Sequence, residues 1–204
     1  MELFAVFETW HLGDGNYPPL EAGELVNLSF EIEPDELQLA ATADTPEFHQ
    51  LEEARYRFRG SVIRVYEEGD PTDRIVIVEA GIFRFYICSA KAGSFSPGDN
   101  VTGCGTLLLD HYIWVEYLPR YPDPPDLFYT LRVENIWRHR IPERLISRSA
   151  SGGVAYPTRV EPQEHAPSEI TKVDALSDEQ FVYYVIRFSD RDIPAEPVRR
   201  TFLS

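Results

Sequence analysis

The chain has 204 residues, 43% of them hydrophobic and 13% aromatic, with a formal net charge of −15. This composition builds a real core and excludes a disordered chain, and no run of about 18 apolar residues is present to cross a bilayer as a helix. The charge is uneven: residues 1–54 hold 13 acids and no lysine or arginine, and the first basic side chain is Arg55. Such a segment repels nucleic acid and anionic lipid and attracts basic protein surfaces.

The opening stretch MELFAVFETW carries Glu2 and Glu8 and no basic residue, unlike a secretory leader. Cys88 and Cys104 follow no metal or redox spacing, so a cytoplasmic protein with two reduced thiols is expected. HLGDGNYPPL holds Asp14, Gly15 and Asn16, but the alternation of oxygen ligands stops there, which reads as a turn and not a calcium loop. LVNLSFEIE sets Val26, Leu28, Phe30 and Ile32 on one face, a half-buried strand. The acids Glu31, Glu33, Asp35 and Glu36 fall at the end of that strand and in the turn expected after it. TPEFHQLEEA has a threonine cap, proline at the first helical position and early glutamate, which predicts a short helix carrying Glu47, Glu52 and Glu53.

ARYRFRGSVIRVYEE alternates Tyr56 and Phe58 against Arg55, Arg57 and Arg59, then changes phase around Gly60, as at a bulge or bend. Those three arginines share one strand face, where they can neutralise some of the acids. RIVIVEA and IFRFYIC read as two strands joined by a tight turn at EAG. LEAGELV and FSPGDNV share a glycine-acid turn feeding a strand, which puts Gly23 and Gly98 at positive φ. VTGCGTLLLD, LFYTLRVENIW and FVYYVIRF supply further strands. LPRYPDPPD is a stiff linker or a loop within one barrel. IPERLISRSASGG predicts about two helical turns, and residues 149–180, rich in Ser, Pro and Glu, a long loop.

The fold expected is mainly β: a compact antiparallel barrel or sandwich with one or two short helices and a long C-terminal loop. Residues 1–118 form the barrel or sandwich with its acidic first quarter; residues 127–204 form a smaller β extension, of the same domain or beside it.

No catalytic set is found. Cys104 between Gly103 and Gly105 lacks a base, since His111 is seven residues on, and is expected to be a packed thiol. The five histidines have no metal spacing, so no metal ligands and no cofactor are expected. Trp137 sits among Arg132, Arg138, Arg140, Arg144 and Arg148, a pattern that can bind single-stranded nucleic acid, although the overall charge works against it.

The leading expectation is a non-catalytic domain that binds a basic partner protein through Glu31, Glu33, Asp35, Glu36, Asp44, Glu47, Glu52 and Glu53. Its most concrete form is an immunity protein, a toxin inhibitor of the same general size and acidity. The alternatives are an oligonucleotide-type barrel that binds a ligand or single strand through Trp137 and its arginines, and an enzyme assembled from distant residues.

Overall fold

The computed structural model describes residues 1–8, 12, 19–40, 45–67, 74–88, 95–110, 121, 123–148, 154–155, 166–173 and 182–190. In chain order the strands are β1 (Glu2–Glu8), β2 (Leu20–Glu21), β3 (Leu25–Leu28), β4 (Phe30–Leu39), β5 (Glu47–Glu52), β6 (Arg55–Glu67), β7 (Arg74–Ala80) and β8 (Phe83–Cys88). They continue with β9 (Asn100–Leu109), β10 (Tyr129–Arg140), β11 (Ser147–Arg148), β12 (Val154–Ala155), β13 (Ser168–Ile170), β14 (Lys172–Val173) and β15 (Val182–Ser189).

Eleven of these strands join in one sheet, and part of it closes into a five-stranded barrel. Around the barrel β4 pairs β9, β9 pairs the first half of β6, the second half of β6 pairs β7, β7 pairs β8, and β8 returns to β4 at Glu31 and Tyr86. Beyond it, β1 pairs β15 over its whole length, β15 pairs β10, and β10 carries β3 and β13 along its other edge. The fold is thus mainly β with a barrel at its centre, as the alternating pattern predicts.

Two-sided burial explains the continuous apolar runs. Val76, Val78 and Ala80 of β7 face the main core, while Ile75 and Ile77 face a second cluster with Tyr66, Tyr86, Leu127 and Phe128. Likewise Val182, Tyr184, Ile186 and Phe188 of β15 face the main core, and Tyr183 and Val185 join Val6, Leu108 and Ile141 in a third cluster. Period-two alternation sends neighbours to opposite faces, so a strand buried on both sides reads as unbroken hydrophobicity. The proline-rich stretch before β10 delivers Leu127 and Phe128 into the second cluster.

The glycine turns form as expected, with φ of 92° at Gly23, 95° at Gly98 and 68° at Gly81 in the β7–β8 hairpin. Other local expectations are corrected. Residues 47–52 are a strand and not a helix, because Phe48 is drawn into the aromatic core: its ring lies 4.6 Å from Tyr56 and 4.4 Å from Phe83. Long-range packing outweighs the capping signals of the sequence. β4 does not end at Ile32 but runs through the acids to Leu39, absorbing Pro34 in an irregularity between Pro34 and Glu36, a tolerated place for proline.

The register shift in β6 falls between Val62 and Arg64, beyond Gly60. Of the bulge or bend expected at Gly60, the bend is found: β6 passes from β9 to β7 there, and a Cβ on Gly60 would stand 2.3 Å from the Glu79 carbonyl oxygen. The two helical turns expected after Ile141 reduce to a 3-10 turn at Glu143–Leu145. The loop expected over 149–180 contains the short strands β12, β13 and β14 among its described residues.

Candidate functional site

The outer face of β4, β9, β6 and β5 collects the charged residues in rows. Strand register sets Glu33, Thr106, Arg55 and Glu52 side by side; then Glu36, Cys104, Arg57 and His49; then Gln38, Thr102, Arg59 and Glu47. Residues paired across strands share a face. The result is four stripes: acids on β4, small residues on β9, guanidinium groups on β6, and acids with one histidine on β5. With strands about 4.8 Å apart, the β4 backbone lies about 10 Å from that of β6 and about 14 Å from that of β5, a gap that long side chains can bridge.

Because the β9 stripe is short in stature, its neighbours rise as walls. They enclose an open trough of about 680 Å³ with Thr102, Gly103 and Cys104 on its floor, Asp35 and Glu36 on one wall, and Arg57 and Arg59 on the other. The glycines beside Cys104 serve closure of the barrel. They face inward, where a Cβ on Gly103 would stand 2.4 Å from the Glu36 carbonyl oxygen and one on Gly105 would stand 2.3 Å from that of Glu33. Strand β4 therefore presses close against β9 and holds its acids at a fixed height over the trough.

The arginines neutralise part of the acid set. Arg55 donates from Nε to Asp35 Oδ2 at 2.9 Å, its terminal nitrogen meets the same oxygen at 2.9 Å, and Glu52 lies 3.7 Å away. Arg59 reaches Glu47 at 4.0 Å. Burial works against the Arg55 charge, but Asp35 and the Cys104 sulfur outweigh it and raise its pKa. Glu33, Glu36 and Arg57 have no ion pair among the described residues. One wall of the trough thus keeps the unpaired carboxylate of Glu36, with Glu33 one row beyond the trough on the same strand, and the other wall keeps the unpaired guanidinium of Arg57.

Of the eight acids singled out in the sequence, Glu33, Asp35, Glu36, Glu47 and Glu52 come together on this face. Glu53 lies in the turn between β5 and β6, where its backbone carbonyl accepts a hydrogen bond from Gln50 at 2.5 Å. Glu31 is 7% exposed and sits where β4 meets β8, so it is removed from the accessible set. Asp44 lies outside the described residues, as do Asp14, Asn16, His11, His111 and His165. Sequence reading missed Thr102, Thr106 and the trough-floor position of Cys104. The signal was present as alternation in VTGCGT, but its meaning depends on the register with β4 and β6.

Cys88 and Cys104 are free thiols. Cys88 packs against the second cluster, whereas Cys104 lies 3.7 Å from an Arg55 nitrogen on the outer face, a correction to its expected packed position. Trp137 is half-buried in the third cluster and stacks on Phe4 with ring centroids 6.0 Å apart. Strand alternation points it away from Arg138 and Arg140, so those residues do not form one stacking platform. Asp110, fully buried, accepts hydrogen bonds from Ser29 at 3.0 Å and from the Tyr86 hydroxyl, tying β9 to β4 and β8. His139 is buried and stacks on Tyr183 at 4.8 Å. Among the described residues there is no metal-competent cluster of His, Cys, Asp and Glu, and no helix long and apolar enough to cross a membrane.

No protein-family model, no curated protein and no solved structure matches this chain.

Proposed function

We propose that the protein is a non-catalytic binding module that docks a partner protein with a basic surface onto the striped β4–β9–β6–β5 face. The observation that carries this reading is the pair Glu33 and Glu36, two exposed carboxylates of β4 without ion-pair partners among the described residues. Charges already spent on internal pairs contribute little to recognition, whereas uncommitted ones on a fixed wall steer an approaching partner. The arginine stripe narrows the partner further. A complementary surface carries basic groups opposite β4 and β5 and an acidic group opposite Arg57. An inhibitor of immunity type, covering a basic active site, is the most concrete form of this reading; it rests on size and acidity as well as on the face.

The test compares wild-type protein with Glu33→Lys/Glu36→Lys in affinity capture from the native cell extract at low and moderate salt. A partner retained by the wild type and lost by the variant, with retention falling as salt rises, supports the reading. Equal retention by both proteins overturns it.

A further inference from the structure

A second recess lies at the end of the barrel, away from the trough. It holds about 320 Å³ and is floored by Leu3, Phe48, Tyr56 and Phe83, with Glu2, Glu47 and the Met1 amino terminus as its charged lining groups. The β7–β8 turn closes one side, and its Ile82 is 69% exposed. Strand β5 forms another wall. It pairs with β6 along one edge and ends the sheet order, so its opposite edge has no strand partner among the described residues.

Three properties coincide here. An open strand edge offers backbone donors and acceptors in a ready pattern. An apolar floor beside it suits a bulky side chain. The lining side-chain charges are carboxylates, since the Met1 ammonium at the rim is held by Asp190 and no lysine or arginine lines the recess among the described residues. Natural edges that avoid pairing use lysine, proline or a bulge. β5 has no lysine; Pro46 stands just before it, its charges Glu47 and Glu52 sit at its ends, and its irregularity falls late, between Gln50 and Glu52, which leaves Glu47–Gln50 regular.

We propose that this recess takes an extended segment of a partner chain, added as a strand along Glu47–Gln50. One bulky apolar side chain of the segment enters between Phe48 and Ile82, and lysine or arginine neighbours meet Glu47 and Glu2. Strand addition of this kind draws affinity from main-chain hydrogen bonds and specificity from pockets for alternate side chains. Glu2 and Glu47 retain capacity for a second cation, since each is about half exposed while contacting Arg187 at 3.4 Å and Arg59 at 4.0 Å. The recess shares only Glu47 with the striped face, and the inference stands without the trough.

The probe is a seven-residue peptide alternating lysine with valine and leucine, added to the isotope-labelled full chain and followed by backbone amide shifts. Shifts that saturate and cluster on Glu47–Gln50, Gly81–Phe83 and Leu3, with a Kd of about 0.1–1 mM, are expected for so short a segment. A version with glutamate for lysine, and one with alternate backbone nitrogens methylated, should each bind about tenfold more weakly or worse. Ile82→Lys, at an exposed turn, should weaken binding by a similar factor while keeping the native spectrum. Absence of saturable shifts overturns the inference, as does equal binding by the methylated peptide, or shifts confined to Glu33, Glu36 and Arg57. Those residues of the striped face report separately in the same spectrum, so failure at the recess is distinguishable from failure of the striped face.

Discussion

Phe48 stacks on Tyr56 with ring centroids 4.6 Å apart and planes 13° from parallel, which fastens the edge strand β5 to the barrel. The same Tyr56 hydroxyl accepts a hydrogen bond from the Phe4 backbone nitrogen at 2.8 Å. One aromatic pair therefore links β5, β6 and β1. Phe48→Ala should cost about 2–3 kcal/mol, below the 3–5 kcal/mol of a fully buried phenylalanine because Phe48 keeps some exposure. Denaturant unfolding measures the loss, and hydrogen exchange should show β5 opening first. A loss under about 0.5 kcal/mol, the scale of an ordinary surface change, would mean that β5 is held by its backbone alone.

Glycine substitutions should sort by what a new Cβ meets. Gly98 has positive φ and open space around it, so Gly98→Ala pays only backbone strain, about 1–2 kcal/mol. Gly103→Ala and Gly105→Ala place a methyl group against carbonyl oxygens of β4 and should cost 2 kcal/mol or more by overpacking, at about the upper end of its usual range. They should also disturb the acid wall. Thermal melts rank the three, and equal losses would remove the close approach of β4 to β9 as the reason for these glycines.

The strands and the positive-φ glycines were legible because each rests on local chemistry. Tyr56 and Phe58 alternate with arginines, and Gly23 precedes an acid and a strand. The segment around Phe48 misled for a physical reason: cap residues speak for a helix, while one aromatic ring finds its partners 8 to 37 positions away, at Tyr56 and Phe85. The acid set was legible as charge but not as a surface. Glu31 looked equivalent to Glu33 until the β4–β8 contact buried it, and the trough between Glu36 and Arg57 exists only once β9 lies between them.

Alkaline pH should unfold the protein through buried tyrosines. Burial pushes the pKa of Tyr56 and of Tyr129 up to about 12, partly offset by backbone hydrogen bonds from Phe4 and Arg84. A tyrosine whose folded pKa lies above its unfolded value near 10 adds stability that is full below about pH 10. That stability is lost as pH rises towards 12, by about 2–3 kcal/mol for each group. Tyrosinate absorbance and near-ultraviolet circular dichroism should be followed together. Late ionisation coincident with loss of the dichroism is expected; reversible ionisation of every tyrosine in a still-folded protein would contradict it.

The two thiols should label at different rates. Cys104 lies on the trough floor and Cys88 against an apolar cluster. A small thiol reagent at neutral pH should modify Cys104 in the folded protein and reach Cys88 only slowly. Arg57, exposed beside it in the strand register, and Arg55 at 3.7 Å should favour an anionic reagent over a neutral one at low salt. Equal protection of both until denaturation would place Cys104 under cover.

Charge reversals should separate spent from uncommitted acids. Asp35 is held by Arg55 through contacts of 2.9 Å, whereas Glu33 and Glu36 have no ion-pair partner among the described residues. Asp35→Lys removes that pair and sets two cations together, so a loss of about 0.5–1 kcal/mol is expected, at the upper end for exposed pairs. Adding Arg55→Glu should recover most of it. Glu33→Lys with Glu36→Lys should leave stability unchanged or raise it slightly. The new lysines stand on a strand whose backbone lies about 10 Å from that of the arginines, and their exposed side chains can turn away into solvent, where salt screens them. They also relieve repulsion within an acidic segment. Melting temperatures at low and high salt measure each effect, and salt should shrink all of them. With a partner in hand, the double reversal should slow association and flatten its salt dependence more than it speeds dissociation. The proposal fails if the double reversal destabilises as much as Asp35→Lys, because Glu33 and Glu36 would then be committed within the fold. It fails equally if association keeps its rate and its salt slope, because no partner charge would then be meeting that wall.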